Sequence, residues 1–296
     1  MRYNILLLVL VIVAAGQLSA ADPGSVGFNF LKVSPGARNA AMGEIGASLP
    51  ADLYGVYFNP AGIVGIPQSS VSFMHLEGIF DTRREFLGAA TNAFGGALAL
   101  GFDYFKVGDL EARDAPTEEP IGLFDSQDWL LALSYARPVG AKFSAGLTGK
   151  YAAEKIESRT ADAVLFDAGL QFHPTPAATL GLALRNVGSK PKFSAEEIDI
   201  PVTVAGGVSL AVHGLTAALE LAAPKESDLR VNLGAEKVLA EIFALRAGYK
   251  IGYDEENFSA GAGFRKSIWQ IDYAFVPFKS GLGSTHSFAL TINFKA

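Results

Sequence analysis

Residues 129–135, Trp-Leu-Leu-Ala-Leu-Ser-Tyr, and residues 269–275, Trp-Gln-Ile-Asp-Tyr-Ala-Phe, each place a large apolar side chain at every second position. Successive residues of an extended strand point to opposite faces of a sheet, so a period of two gives each segment one face of bulky apolar groups. The alternation recurs in runs of about ten residues bounded by Gly, Pro, Asn and Asp, as in the strands of a transmembrane β-barrel. It predicts strands over 68–77, 83–92, 95–106, 127–137, 141–156, 161–173, 178–187, 200–212, 214–223, 228–239, 242–253, 256–266, 268–277 and 284–294. The expected fold class is therefore all-β, a transmembrane antiparallel barrel of about 14 strands, an even number as single-chain bacterial barrels require.

The connections test this reading without using apolar periodicity. Short turns are expected at Ala93-Phe94, Pro138-Val139-Gly140, Pro174–Ala177, His213, Ala240-Glu241 and Ser267, and longer ones at Val107–Ser126, Gly188–Asp199 and Phe278–Gly283. If the first strand rises from the periplasm, the tight turns fall inside and the long loops outside, with both termini periplasmic. The expected outer face carries Leu98, Leu100, Phe102, Tyr104, Leu180, Leu182, Leu184, Phe243, Leu245, Tyr249, Ile251, Phe288, Leu290, Ile292 and Phe294. The expected inner face carries Asp103, Lys150, Asp167, Gln171, Arg185, Glu220, Arg230, Asn232, Glu236, Arg246, Lys250, Arg265, Gln270 and Asp272. Charges of both signs point to a lumen filled and held by ion pairs more than to an ion-selective pore. An exported soluble sandwich or solenoid would leave apolar faces of this size uncovered.

Composition and the N-terminus agree with an exported membrane protein. Half of the residues are hydrophobic and 32 are Gly, yet no stretch after residue 21 is long enough for a membrane helix, which needs about 20 apolar residues. Arg2, the apolar run Ile5–Ala15 and the small residues around Leu18-Ser19-Ala20 read as a signal peptide, 1–21, cleaved near Ala20 or Ala21. There is no Cys, which removes disulfides, thiolate metal sites and a lipoprotein anchor. A net charge of −6 argues against nucleic acid as a partner.

Residues 22–67 break the strand pattern and form the expected plug, leaving 68–296 as the barrel. Ser34-Pro35 reads as an N-cap with Pro at the first helical position, opening a small-residue helix over Ala37, Ala40, Ala41, Gly43 and Ala47. A second short helix is expected from Asp52 to Tyr57-Phe58, stopping at Asn59 because a residue before proline disfavours helix. Phe30-Leu31-Lys32-Val33, Gly36–Glu44 and Tyr57-Phe58-Asn59-Pro60-Ala61-Gly62 resemble the N-terminal signature of PorV/PorQ-type proteins, which are similar to the FadL fatty-acid transporter group. The resemblance is dense over residues 28–66 and beyond them rests on strand number and layout. It implies a fourteen-stranded barrel with the N-terminal segment inside as a hatch, to which Asn59, Pro60, Ala61 and Gly62 would belong. It also implies either docking of exported cargo beside a translocon in type IX secretion, or passage of hydrophobic molecules across the outer membrane.

Catalytic and metal constellations are weak. Ser72 and His75 fall on opposite strand faces, while Ser284 and His286 share one, where an interfacial or lumenal polar group is the simpler reading. Asp114 with Glu118-Glu119, and Asp254-Glu255-Glu256, are acidic loops able in principle to hold divalent cations bridging lipopolysaccharide, but a plain solvated loop is the favoured reading of both. Glycines inside strands, such as Gly261 and Gly263, are read as easing curvature. The expectation is a non-enzymatic outer-membrane barrel without cofactor, meeting lipid and lipopolysaccharide and docking a translocon or exported cargo, with a FadL-like channel as the alternative.

Overall fold

The computed structural model describes residues 26–33, 35–66, 69–116, 118–193 and 196–294; the expected signal peptide lies outside them. The strands are β1 Ser69–Glu77, β2 Thr82–Ala93, β3 Gly96–Ala112, β4 Gly122–Val139, β5 Phe143–Ile156, β6 Arg159–Thr175 and β7 Ala178–Gly188. Then come two-residue strands β8 Lys192–Phe193 and β9 Glu196–Glu197, followed by β10 Thr203–Val212, β11 Leu215–Pro224 and β12 Arg230–Leu239. The last four are β13 Phe243–Ile251, β14 Phe258–Lys266, β15 Trp269–Pro277 and β16 Ser284–Phe294. All but β8 and β9 form one closed, fourteen-stranded antiparallel barrel, in which β10 follows β7 and β16 pairs with β1. Closure leaves no sheet edge within the wall, as a hydrocarbon environment demands.

The two faces of the wall separate as the sequence period requires. Leu131, Leu133, Leu147, Tyr151, Phe166, Leu245, Tyr249 and Phe288 lie exposed on the outside, while Leu130, Ala132, Thr148, Lys150, Asp167 and Arg246 are buried within. A continuous apolar outer face of this extent has lipid as its physical medium.

Several boundaries depart from the sequence reading. The expected outer loop Val107–Ser126 is partly strand: β3 runs on to Ala112 and β4 resumes at Gly122, because Leu110 pairs with Phe124 and Glu111 with Leu123. The loop Gly188–Asp199 folds its middle into the β8–β9 hairpin. In the plug the helix is only Ala37–Ala41, capped by Gly36, with residue 34 outside the described residues. It ends early because Gly43 and Glu44 adopt left-handed backbone angles, φ 70° and 66°. That angle favours glycine, and a Cβ at Gly43 would also press on the Leu233 carbonyl of the wall. The second helix starts at Gly55, later than expected, and stops after Phe58 at extended Asn59.

Candidate functional site: the hatch and its seat in the lumen

The plug consists of short turns, Asn29–Lys32, Ala37–Ala41, Gly55–Phe58 and Pro60–Gly65. Elements this short leave most of their backbone groups without internal partners, and side chains of the wall supply them. Glu220 accepts from the Gly46 and Ala47 amides, both at 2.8 Å. Ser259 accepts from Gly43 N–H at 3.1 Å and donates to the Ala41 carbonyl at 3.2 Å. Gln171 donates to the Ala47 and Leu49 carbonyls at 3.1 and 3.2 Å, and Ser209 to the Ser48 carbonyl at 2.8 Å. Arg84 pairs with Asp103 and donates to the Phe30 and Val33 carbonyls.

The Asn-Pro-Ala-Gly stretch has a defined place in this seat. Asn59 is fully buried; its Oδ1 accepts from Ala61 N–H at 3.1 Å and caps the turn begun by Pro60. Its Nδ2 donates to the Ala47 carbonyl at 2.7 Å and reaches the Leu170 carbonyl of β6 at 3.2 Å. One amide thus caps a turn, ties two hatch segments together and fixes both to the wall. Ala61 and Gly62 are buried beside it, and Ser144 donates to the Ala61 carbonyl at 3.2 Å.

The lumen charges sort into three kinds. A chain of ion pairs joins hatch and wall: Arg38 lies 3.7 Å from Asp52 and 2.8 Å from Glu236, and Arg246 bridges Glu236 at 2.7 Å and Asp272 at 2.8 Å. Burial works against the Arg38 charge, yet the Glu236 and Asp52 carboxylates more than offset it and hold its pKa above the ordinary value. Lys150 pairs with Asp167 at 2.5 Å within the wall, and Lys250 contacts Glu44 of the hatch and Glu256. Arg185 and Arg230 have no ion pair among the described residues and stack instead, over Phe58 and over Tyr253. Arg265 stands exposed at the periplasmic rim, bonded to Gln270 at 2.9 Å.

Apolar packing supplies most of the affinity for the seat. Phe28, Phe30, Tyr54, Phe58, Phe86 and Phe105 are buried in one cluster between hatch and wall. Each fully buried side chain of this size contributes ~1.5–3 kcal/mol, against ~0.5–1.5 for a typical hydrogen bond. The polar contacts decide where the hatch sits, and the aromatics decide that it stays.

Wall glycines are the part of the site that the alternation hides. A Cβ at Gly146 would strike Pro60, at Gly169 Asn59, at Gly181 the Ala47 carbonyl, at Gly234 Met42, and at Gly261 Ala41. These positions face inward on different strands, so Gly here makes room for the hatch rather than easing curvature. Glycine on the inward parity was the available signal.

Cavities flank the hatch at both ends of the barrel, two of which border the charged residues. One of about 40 Å³ at the outer mouth is bordered by Lys32, Arg185, Glu220, Glu226, Arg230 and Tyr253; burial pushes the Tyr253 phenol up to about 12. The other, about 390 Å³, opens at the periplasmic end beside Arg38, Glu236, Arg246, Arg265, Asp272 and Asn293. Neither is the apolar slot that a hydrophobic ligand needs. The acidic loops form no metal-ligand group among the described residues. Ser72 turns inward to Tyr54 at 3.0 Å, whereas His75 pairs outward with Glu85. Ser284 and His286 do meet, at 3.1 Å, with the Tyr273 hydroxyl 2.8 Å from the other imidazole nitrogen, in a row that satisfies polar groups beside the outer loop Phe278–Gly283.

Residues 23–170 match the model of a family described as the type IX secretion system protein PorV. The chain belongs to the PorV family. None of the curated proteins matches it. Among solved structures it is similar to the CymD monoaromatic hydrocarbon channel, with 15% identity, TM-score 0.65, 89% of this chain and 98% of that one covered. It is also similar to the Ralstonia pickettii toluene transporter TbuX, with 14% identity, TM-score 0.62 and coverage of 88% and 98%. A Pseudomonas aeruginosa FadL homologue gives 12%, 0.60, 88% and 99%. At such identities the likeness is one of fold, a FadL-type barrel.

Proposed function

We propose that this PorV-family barrel works by its surfaces: seated in the outer membrane with its lumen occupied, it docks exported proteins or their translocon at the cell surface. The observation that carries the reading is the bonding of hatch to wall, above all the chain Asp52–Arg38–Glu236–Arg246–Asp272, which crosses from plug to barrel. A barrel whose wall side chains are spent on plug backbone has few left for a solute path. The hydrocarbon channels of similar fold favour a second reading, passage of small hydrophobic molecules, but the charged cavities beside this hatch suit such molecules poorly.

The test is isolation from native membranes after mild cross-linking, alongside uptake of toluene and of a long-chain fatty acid into vesicles holding the pure protein. Docking predicts secreted proteins or an outer-membrane translocon in the isolate and uptake no faster than in empty vesicles. Saturable uptake by a partner-free barrel would overturn it.

A further inference from the structure

β3 and β4 outgrow their neighbours. Pairing of β2 with β3 ends at Thr82–Val107, and pairing of β4 with β5 ends at Ser126–Ile156. The adjoining turns reach one residue further, through Gly108 N–H to the Asp81 carbonyl and Glu157 N–H to the Asp125 carbonyl. Beyond Val107 and Ser126 the pairs Leu110–Phe124, Glu111–Leu123 and Ala112–Gly122 therefore stand as a lone ribbon with both edges outside the barrel's pairing, rising about 16 Å above it at ~3.3 Å per residue. A register shift between Val107 and Leu110, with Asp109 at φ 53°, marks where the ribbon leaves the wall, and bulges of this kind re-aim a strand.

The ribbon presents two apolar residues to water. Ile121 is 67% and Leu123 61% exposed, and both keep the parity of lipid-facing Leu131 and Leu133. They stand beyond Asp125, which is ion-paired to Lys106 at 2.7 Å. Around them acid predominates: residues 109–125 hold Asp109, Glu111, Asp114, Glu118, Glu119 and Asp125 against Arg113, which pairs with Glu111 at 2.8 Å, a net of −5.

That charge selects among occupants. The outer-leaflet surface of lipopolysaccharide is rich in phosphate and repels the ribbon, and two acidic ribbons repel one another, so lipid and a second copy are both disfavoured. A basic chain is attracted. We propose that the β3–β4 ribbon is a strand-addition site for a cationic exported polypeptide. An extended segment alternating Lys or Arg with apolar residues pairs with a free edge, laying its apolar side chains over Ile121 and Leu123 and its cations towards the carboxylates Asp114 and Glu118 beyond the paired part of the ribbon. Backbone hydrogen bonds supply affinity in this mode and the alternate side chains supply selectivity. The inference rests on the docking reading and names its surface.

The probe is a capped ten-residue peptide alternating Lys and Val, titrated at physiological salt against the full barrel in lipid nanodiscs. Two control peptides carry the same composition, one N-methylated at alternate residues, the other with its five Lys grouped before its five Val. The Asp114→Lys/Glu118→Lys variant should weaken binding of the alternating peptide at least tenfold, and Ile121→Ser/Leu123→Ser about as much. N-methylation should weaken it similarly, because it removes the donors that edge pairing uses. Equal affinity for all three peptides, or binding unchanged by charge reversal, would overturn the proposal. Heat-modifiable migration on gels establishes that each variant keeps its barrel. Secreted proteins still co-isolating with a barrel that ignores the peptide would refute the ribbon and leave the docking reading standing; their absence from the isolate would refute docking itself.

Discussion

Replacing Arg38 with Met isolates the polar clamp, because an unbranched apolar stem is kept while the guanidinium and its charge are lost. Arg38 donates to Glu236 at 3.0 and 2.8 Å and faces Asp52 at 3.7 Å. Hydrogen bonds to a charged group contribute ~1.5–3 kcal/mol each, and breaking a buried pair from one side costs ~3–5 kcal/mol. Glu236 retains Arg246 at 2.7 Å, which puts the loss at the low end, about 3 kcal/mol. At ~1.4 kcal/mol per factor of ten, local opening of the hatch becomes roughly a hundred-fold more frequent. Amide hydrogen exchange over residues 37–47 reads this directly, and those amides should exchange about a hundred-fold faster while the wall is unchanged. In the double variant Arg38→Met/Glu236→Gln no carboxylate is left facing the gap from β12, so its loss should be smaller than the sum of the single losses. If exchange in Arg38→Met stays within a factor of two of wild type, the ion-pair chain does not hold the hatch.

The remaining predictions address the glycine seat and an outer contact. Gly169→Val should displace Asn59 and expose the hatch to limited proteolysis, whereas Gly149→Ala, whose nearest neighbour is 3.9 Å from the new Cβ, should behave as wild type; equal protease resistance would show that the wall yields instead. Near the outer loop, Gly27 N–H donates to the Asp199 carbonyl at 3.0 Å, and the Asp199 carboxylate pairs with Lys190 at 2.7 Å and Lys225 at 3.3 Å. Hydrogen bonds from those lysines hold its pKa below the ordinary carboxylate value, so its contribution is present above about pH 4 and fades as pH falls below that. Exchange at Gly27 should therefore accelerate on acidification below about pH 4, and Asp199→Asn should remove that dependence; an unchanged pH profile in the variant would refute it.

Barrel strands were legible because burial on one face only, repeated at a period of two, imprints itself on every segment. Turn residues then set the connections, and the strand list needed only local correction. Ala112 and Gly122 were misread as loop because their side chains carry no alternation of size, although Leu110 and Phe124 beside them do. Inside the lumen the inward parity leads to Lys150, Asp167, Glu236, Arg246 and Asp272, all buried, but not to their partners, and Arg265 on the same parity stands exposed at the rim. Arg246 and Asp272 lie on different strands, and Arg185 stacks on an aromatic of the hatch; such pairings depend on strand register and on the plug path, which no local pattern encodes. The Asn59 motif was legible as a turn, whereas its bond to the β6 carbonyl was not.

The energetics of the hatch bear on whether it could act as a gate. Phe28, Phe30, Met42, Ile45, Leu49 and Ile63 are each at most 1% exposed. Expelling the hatch as a unit would return at least these six side chains to water, about 9–18 kcal/mol at ~1.5–3 each, an upper estimate since part of that surface could rebury elsewhere. Whole domains are stable by only ~5–15 kcal/mol, so full ejection is not a thermally accessible step. The wall could not repair the vacancy either, because glycines at Gly146, Gly169 and Gly261 have no side chains to turn inward. The docking reading therefore requires activity with the hatch in place, and this can be checked directly. With no native Cys in the chain, Arg38→Cys and Glu236→Cys can be joined by a short bifunctional thiol reagent. Partner docking should survive the tether; a tethered barrel that loses its partners, when the untreated double variant keeps them, would show that the hatch moves in use.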